Sequence, residues 1–319
     1  MQSSRRSFIK STSSLIAGFT FIPVLKPLVK YNRQVISQGV KPKVHIFSKH
    51  LQWLNYDEMS KLAKQIGFDG IDLTVRPKGH VLPERVKDDL PIAVNTIRNN
   101  GLLVDRITTS VTDPDDQLTH DILHTASNLG ISEYRMGWYD YEDGISIQEN
   151  ILNISEKLNK FASLNEKLGL RATYQNHTGT MVGGPVWDVG LILNGVNPSY
   201  VGSRYDIRHA TVEGGQSWSV GLKFLSDRIY SFDIKDFIWK KVEGQWKPFN
   251  VPLGEGMVDF DSFFQLVKEL NIQGDFTIHM EYPIGGAEHG VSKLTDSPEV
   301  VISAMKHDLH VLKSCISSL

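Results

Sequence analysis

Short apolar or β-branched runs alternate along this chain with longer stretches carrying an apolar residue every third or fourth position. The short runs read as strands, over residues 43–48, 70–75, 102–108, 132–138, 170–175, 200–206, 229–234 and 276–281. The longer stretches read as helices, over 56–66, 91–100, 115–129, 147–168, 186–193, a segment near 218–225, 260–270 and 298–314. Gly67, Gly101, Gly130 and Gly169 stand where helices should stop. Asn55 stands where the first helix should be capped, with Asp57 and Glu58 in its first turn. Strict alternation of strand and helix predicts a parallel sheet, and eight units predict closure into a single (β/α)₈ barrel, a TIM barrel of class α/β. A doubly wound open sheet is the alternative, and the first strand lacks the GxGxxG turn expected there. Residues 239–256 read as a long loop after the seventh strand.

Length fits this picture. A chain of 319 residues holds one large barrel, since such folds run to roughly 250 residues. The composition, 40% hydrophobic and 22% charged, supports an ordinary packed core. A net charge of −2 without a basic block argues against nucleic acid as the main partner. One cysteine, Cys315, excludes a disulfide framework and a thiolate zinc cage. Ser4-Arg5-Arg6-Ser7-Phe8-Ile9-Lys10 reads as a twin-arginine export signal. The apolar segment behind it, 15–25, is shorter than the roughly 20 residues that span a bilayer, and Gly18 and Pro23 interrupt it. Residues 1–40 are therefore expected to be signal and linker, and 41–319 a barrel domain destined for the periplasm or exported. No small-x-small cleavage site follows the signal, so an uncleaved anchor is the other reading. Oligomeric state is not legible.

The chemistry gathers at strand ends. Four runs, YQNH (174–177), YDIRH (205–209), FDIKD (232–236) and FTIHMEYP (276–283), close strands five to eight. In a barrel these ends meet at one mouth. Gln175, Asp206, Asp233 and Glu281 would form an all-oxygen site of charge −3. That suits one divalent metal, Mn²⁺ or Mg²⁺ first, with Zn²⁺ or Co²⁺ as alternatives. Taken singly, each acid also reads as a solvated or capping residue; the case rests on recurrence in consecutive units. His177, His209, His279, Lys235, Arg204 and Arg208 surround them. Two-residue periodicity puts Lys235 on the face of Asp233, and Arg204 on that of Asp206. His279 reads as structural. On the other half, Lys49, His50, Arg76, His80 and Arg106 would close a pocket or form rim ion pairs. Loop aromatics, Trp138 among them, suit the face of a sugar ring or plain packing. Gly254 and Gly256 read as a turn into a helix, with a phosphate grip as the weaker alternative.

At these residues the chain resembles the xylose isomerase-like TIM barrels, a group with sugar epimerases, hydroxypyruvate isomerase, inosose dehydratase and endonuclease IV. The resemblance runs over residues 43–312. It is carried by Asp206-x-x-His209, Ile234-Lys235-Asp236, Gly254-x-Gly256-x-Val258-Asp259-Phe260 and Glu281. It implies a divalent metal held by Glu, Asp, His and Glu, positions that fall here on Gln175, Asp206, Asp233 and Glu281. Two of the four depart. Asp233 replaces the histidine, and Gln175 replaces a glutamate that serves epimerases as one of two bases. The YQNHTGT run (174–180) is instead similar to inosose dehydratases. The resemblance implies a metal-dependent sugar or polyol isomerase or epimerase working through an enediolate. A dehydratase is the second reading, and a non-catalytic sugar-binding barrel the third. Glu281 and His177 would move protons, and Lys235 would hold negative charge. His209, Arg204, His80, Lys49, His50 and Trp138 would bind a small sugar or polyol. An endonuclease is excluded by charge balance and by the missing histidine-rich metal set.

Overall fold

The computed structural model describes residues 41–317 and 319; the export signal and linker expected over 1–40 lie outside the described residues. Local sequence sets most boundaries. Helix α1 (Tyr56–Ile66) begins with a capping box: Asp57 N and Glu58 N donate to Asn55 Oδ1, and Asn55 N donates to the Glu58 carboxylate. It ends at Gly67, whose φ of 106° is the left-handed cap that glycine adopts without strain.

Around it the chain runs β1 (Val44–Phe47), β2 (Gly70–Val75), α2 (Val86–Asn99), β3 (Leu103–Thr109), α3 (Gln117–Asn128), β4 (Glu133–Arg135) and α4 (Ile147–Leu168). It continues through β5 (Arg171–Gln175), α5 (Val186–Ile192), β6 (Val201–Asp206), α6 (Ile207–Gly214), α7 (Trp218–Leu225) and β7 (Ile229–Ile234). Then come β8 (Asp236–Val242), β9 (Gln245–Val251), α8 (Phe260–Glu269), β10 (Asp275–Ile278) and α9 (Pro298–Ile316). Eight strands close in the order β1-β10-β7-β6-β5-β4-β3-β2, every neighbouring pair parallel. The expected (β/α)₈ barrel is the fold. Among the described residues no helix is long and apolar enough to cross a membrane.

Strand alternation sorts the core into two layers. Outward positions such as Ile71, Leu73, Tyr205, Phe232 and Ile278 are buried under the helices. Asp72, Arg135, Arg204 and Asp233, from strands around the barrel, are buried and interact with polar partners inside it. The interior is thus unusually charged, and those charges must neutralise one another.

Four boundaries depart from the sequence reading. Helix α2 starts five residues earlier than Pro91, the residue expected to open it. Pro91 lies inside the helix, where its missing N–H costs one backbone bond. Strand β4 is only three residues long. At Gly137 an added Cβ would lie 2.7 Å from Ser110 O, so the backbone there is in close contact and the ladder stops. Helix α6 was not anticipated. It grows directly out of β6, with Asp206 as its N-cap, so His209 sits on a helix and not in a loop. The expected long loop is a hairpin, β8 paired antiparallel with β9. Glu243 and Gly244 at φ 50° and 81° form its two-residue turn.

Asp236 clasps the base of that hairpin. Its carboxylate accepts from the N–H groups of Phe237, Gly254, Gly256 and Val258. The amides that a phosphate grip would need are therefore spent on a residue of the chain itself. Gly256 is required for the clasp, because a Cβ there would run into the Asp236 carboxylate. Gly256→Ala is expected to lower the urea midpoint by an amount worth roughly 1–3 kcal/mol, the cost of overpacking. An unchanged midpoint would show that the clasp is dispensable.

Candidate active site

At the mouth, β5, β6, β7 and the segment after β10 bring Gln175, Asp206, Lys235 and Glu281 together. Gln175 Nε2 donates to Asp206 Oδ2 at 2.9 Å, and Arg135 Nη1 donates to Gln175 Oε1 at 3.0 Å. Asp206 spends its other oxygen on the backbone N–H of His209, at 3.0 Å. Lys235 Nζ stands 3.1 Å from Asp206 Oδ2, 3.1 Å from Glu281 Oε2 and 2.8 Å from His209 Nε2. Lys49 Nζ donates to the second Glu281 oxygen at 2.9 Å. Glu281 lies past the end of β10, and its side chain is 24% exposed. The other members are almost fully buried, so Glu281 is the carboxylate that an incoming molecule reaches first.

Charge states follow from these contacts. Burial works against a charge on Lys235, yet Asp206 and Glu281 outweigh it and raise its pKa. Burial likewise opposes ionisation of Glu281, but Lys235, Lys49 and His279 hold it well below the usual carboxylate range. His177 is brought down to about 4, by burial first and then by Lys235, so its imidazole is neutral at physiological pH. Its Nδ1 lies 2.9 Å from the Thr178 carbonyl, which makes Nδ1 the protonated nitrogen and leaves Nε2 with a lone pair.

Asp233 reaches a different layer. Arg204, fully buried, bridges it to Asp72: Nη2 stands 2.5 Å from both carboxylates, and Nε donates to Asp233 at 2.6 Å. His279 Nε2 lies 3.2 Å from the same Asp233 oxygen, and its ring stacks on Phe47 at 4.4 Å. Sequence reasoning missed Asp72 and Arg135. Both lie on the inward face of their strands, so period-2 alternation carried the signal, but neither sits in the strand-end runs.

Of the six residues expected to touch a substrate, Lys49 lines the mouth, and Trp138 stands at its wall. Trp138 donates from Nε1 to Gln175 O at 3.1 Å, and its ring meets that of His177 edge-on with centroids 4.7 Å apart. The other four are corrected. Arg204 is locked between two carboxylates inside the barrel. His50 is buried, with Met280 N donating to Nε2 and Nδ1 against Ala287 O, so it braces the segment that carries Glu281. His80 has both ring nitrogens engaged, by Ser48 Oγ and Leu51 O. His209 accepts from Thr178 N at Nδ1, with Arg208 Nη1 beside that nitrogen, and its Nε2 lies 2.8 Å from Lys235 Nζ; burial first and then the neighbouring cations hold its pKa well below the usual histidine value, and its ring packs against Lys235. Arg106 is also not at the mouth. It bridges Asp105 and Asp275 at the opposite end of the barrel.

The four expected ligands do not fit a divalent cation. Gln175 presents an N–H donor to Asp206, Asp206 also serves as a helix cap, and Asp233 is shared between Arg204 and His279. Of these four side chains only Asp233 offers an oxygen, Oδ2, without a hydrogen-bond partner, and one oxygen does not make a ligand set. Among the described residues, the side chains of His45, Asp105 and Asp275 could hold a metal, with ligand atoms within 4.8 Å of one another. They lie at the far end, among the ion pairs of Arg106.

Residues 60–297 match the profile of a family described as xylose isomerase-like TIM barrel. Inosose dehydratase of Clostridium perfringens (strain 13 / Type A) is 25% identical over 146 residues, covering 42% of this chain and 48% of that protein. The chain thus matches about half the length of this curated relative. D-allulose 3-epimerase from Methylomonas sp. superposes with a TM-score of 0.63 at 17% identity, covering 86% of this chain and 98% of that one. IOLI protein, solved with a binding zinc atom, superposes at 0.64 with 18% identity, covering 86% and 98%. Identities this low establish the shared fold.

Proposed function

Because this chain belongs to the xylose isomerase-like TIM barrel family, we propose that it is an enzyme that moves a proton at a carbon next to the carbonyl of a sugar or keto-polyol. The observation that carries this reading is the reachable Glu281 carboxylate held against the buried Lys235 ammonium, with the neutral His177 close enough to feel both charges. Glu281 would take the proton from carbon. The electron pair left behind would move onto the carbonyl oxygen, and Lys235 would hold the resulting enediolate. A charge fixed in advance beside a developing oxyanion is a large source of catalysis, on the order of 10²–10³-fold for one donor. As Lys235 turns toward that oxyanion, Glu281 loses one of its two lysine partners and gains basicity.

Return of the proton decides the reaction. Delivery to the same carbon from the other face gives epimerisation, and delivery to the neighbouring carbon gives isomerisation. Delivery of that proton by Glu281 to a departing hydroxyl on the next carbon releases water. We favour isomerisation or epimerisation, the activity named for the D-allulose epimerase of the same fold. Dehydration is the second reading. It is supported by Gln175, an amide that cannot serve as a base, and by the inosose dehydratase relative.

Incubating the protein with a panel of keto-sugars and inososes in D₂O tests the reading. Deuterium is expected at a carbon-bound position next to the carbonyl of at least one of them, with the product identified by NMR. Absence of carbon-bound deuterium from the whole panel overturns the proposal.

A further inference from the structure

The structural neighbour solved with a binding zinc atom raises the question of what supplies positive charge at this mouth. We propose that the Lys235 ammonium is the resident cation of the site, standing where a divalent metal would be held, and that the mouth excludes such a metal. This rests on the proposed reading of the mouth as an active site.

Three observations support it. The first is placement. Lys235 Nζ is surrounded by Asp206 Oδ2, Glu281 Oε2 and His209 Nε2 at 3.1, 3.1 and 2.8 Å. Those are two of the four residues expected to ligate a metal, plus the histidine of the Asp-x-x-His motif. An ammonium has no acceptor of its own, and its protons go to the Asp206 and Glu281 carboxylates. A metal reaching Asp206 and Glu281 must therefore displace it. The second is substitution at the remaining positions. Gln175 turns its N–H to Asp206, so it supports a carboxylate and does not add to the negative charge. Asp233 is paired with Arg204, which enters from the inward face of β6.

The third is charge balance. Asp72, Asp206, Asp233 and Glu281 contribute four negative charges; Lys49, Arg135, Arg204 and Lys235 contribute four positive ones, and Arg76 and Arg208 also lie within electrostatic reach of these carboxylates. A divalent ion would add positive charge to a set that already has no surplus of negative charge, which is strongly unfavourable. The all-oxygen site of charge −3 inferred from the sequence is thus already neutralised by side chains of the chain itself. Lysine supplies one charge and directional N–H groups, so the site would bind a carbonyl or enediolate oxygen by hydrogen bonding.

Metal binding tests this without needing turnover. Metal-free protein is titrated with Mn²⁺ and followed by EPR, in wild type, Asp206→Asn, Lys235→Ala and the double variant Lys235→Ala/Asp206→Asn. Dependence on Asp206 separates the mouth from the cluster of His45, Asp105 and Asp275. Wild type is expected to show no Asp206-dependent binding. Lys235→Ala is expected to gain a site at least tenfold tighter, lost again in the double variant. Asp206-dependent binding by wild type would overturn the proposal, and that result does not require Lys235→Ala to fold. Failure of a folded Lys235→Ala to gain binding would also overturn it, by showing that the ammonium is not what keeps metal out. Absence of deuterium exchange, with this binding pattern intact, would sink the proposed reaction and leave the resident cation standing.

Discussion

Replacing Arg204 by methionine is expected to destabilise the fold by roughly 3–5 kcal/mol, the usual cost of stripping one partner from a buried ion pair. Arg204, Asp72 and Asp233 are all fully buried. Methionine fills much of the arginine stem's volume, so the loss reports charge rather than packing. Thr108 still donates to Asp72 at 3.0 Å, and His279 remains beside Asp233, which keeps the variant foldable. The melting temperature should fall by roughly 10 °C. Adding Asp233→Asn should recover part of the loss, because it removes one of the stranded charges. A fall of less than 2 °C, or no recovery in the double variant, would show that Arg204 is not the pin of the barrel interior.

Glu281→Gln is expected to lower the rate of deuterium exchange by roughly 10²–10⁴-fold, the range for loss of a general base. Its side chain is partly exposed and accepts from Lys49 and Lys235 on separate oxygens. Glutamine keeps the shape and one acceptor oxygen but removes the charge that faces both lysines, so the melting temperature should fall by a few degrees, well short of the loss expected for Arg204. A matching loss of activity and stability would assign Glu281 to structure. Retained exchange would pass the base role to His177, the remaining candidate at the mouth with a lone pair to offer.

Both variants act on contacts that differ in how far they could be read from the chain. The strand carrying Arg204 and Asp206 was legible, and so was their common inward face, because both follow from a period of two. Glu281 was placed at a strand end for the same reason. What Arg204 meets was not legible. Its partner Asp72 is 132 residues away, and only closure of the barrel sets β2 and β6 across from one another. Asp206 was read as a metal ligand, and its two oxygens are both engaged within the chain. One of them caps α6, a helix whose start was hidden because the strand runs into it without a break. His50, His80 and His209 were read as substrate contacts from their position near strand ends, but a buried imidazole takes whichever donors and acceptors pack against its two nitrogens, and these lie on other segments.

The sequence by itself determined the eight strand–helix units, the α/β class, the closed barrel and the mouth where the polar strand ends gather. Those depend on periodicity, caps and glycine stops, which act within a few residues along the chain. Only the tertiary structure decided that Lys235 faces Asp206 and Glu281 together, that Arg204 neutralises Asp233, and that Gln175 is held between Arg135 and Asp206. Charge pairing depends on distance through space and on removal of water. Neither is set until the barrel closes and brings strands from distant parts of the chain around one interior.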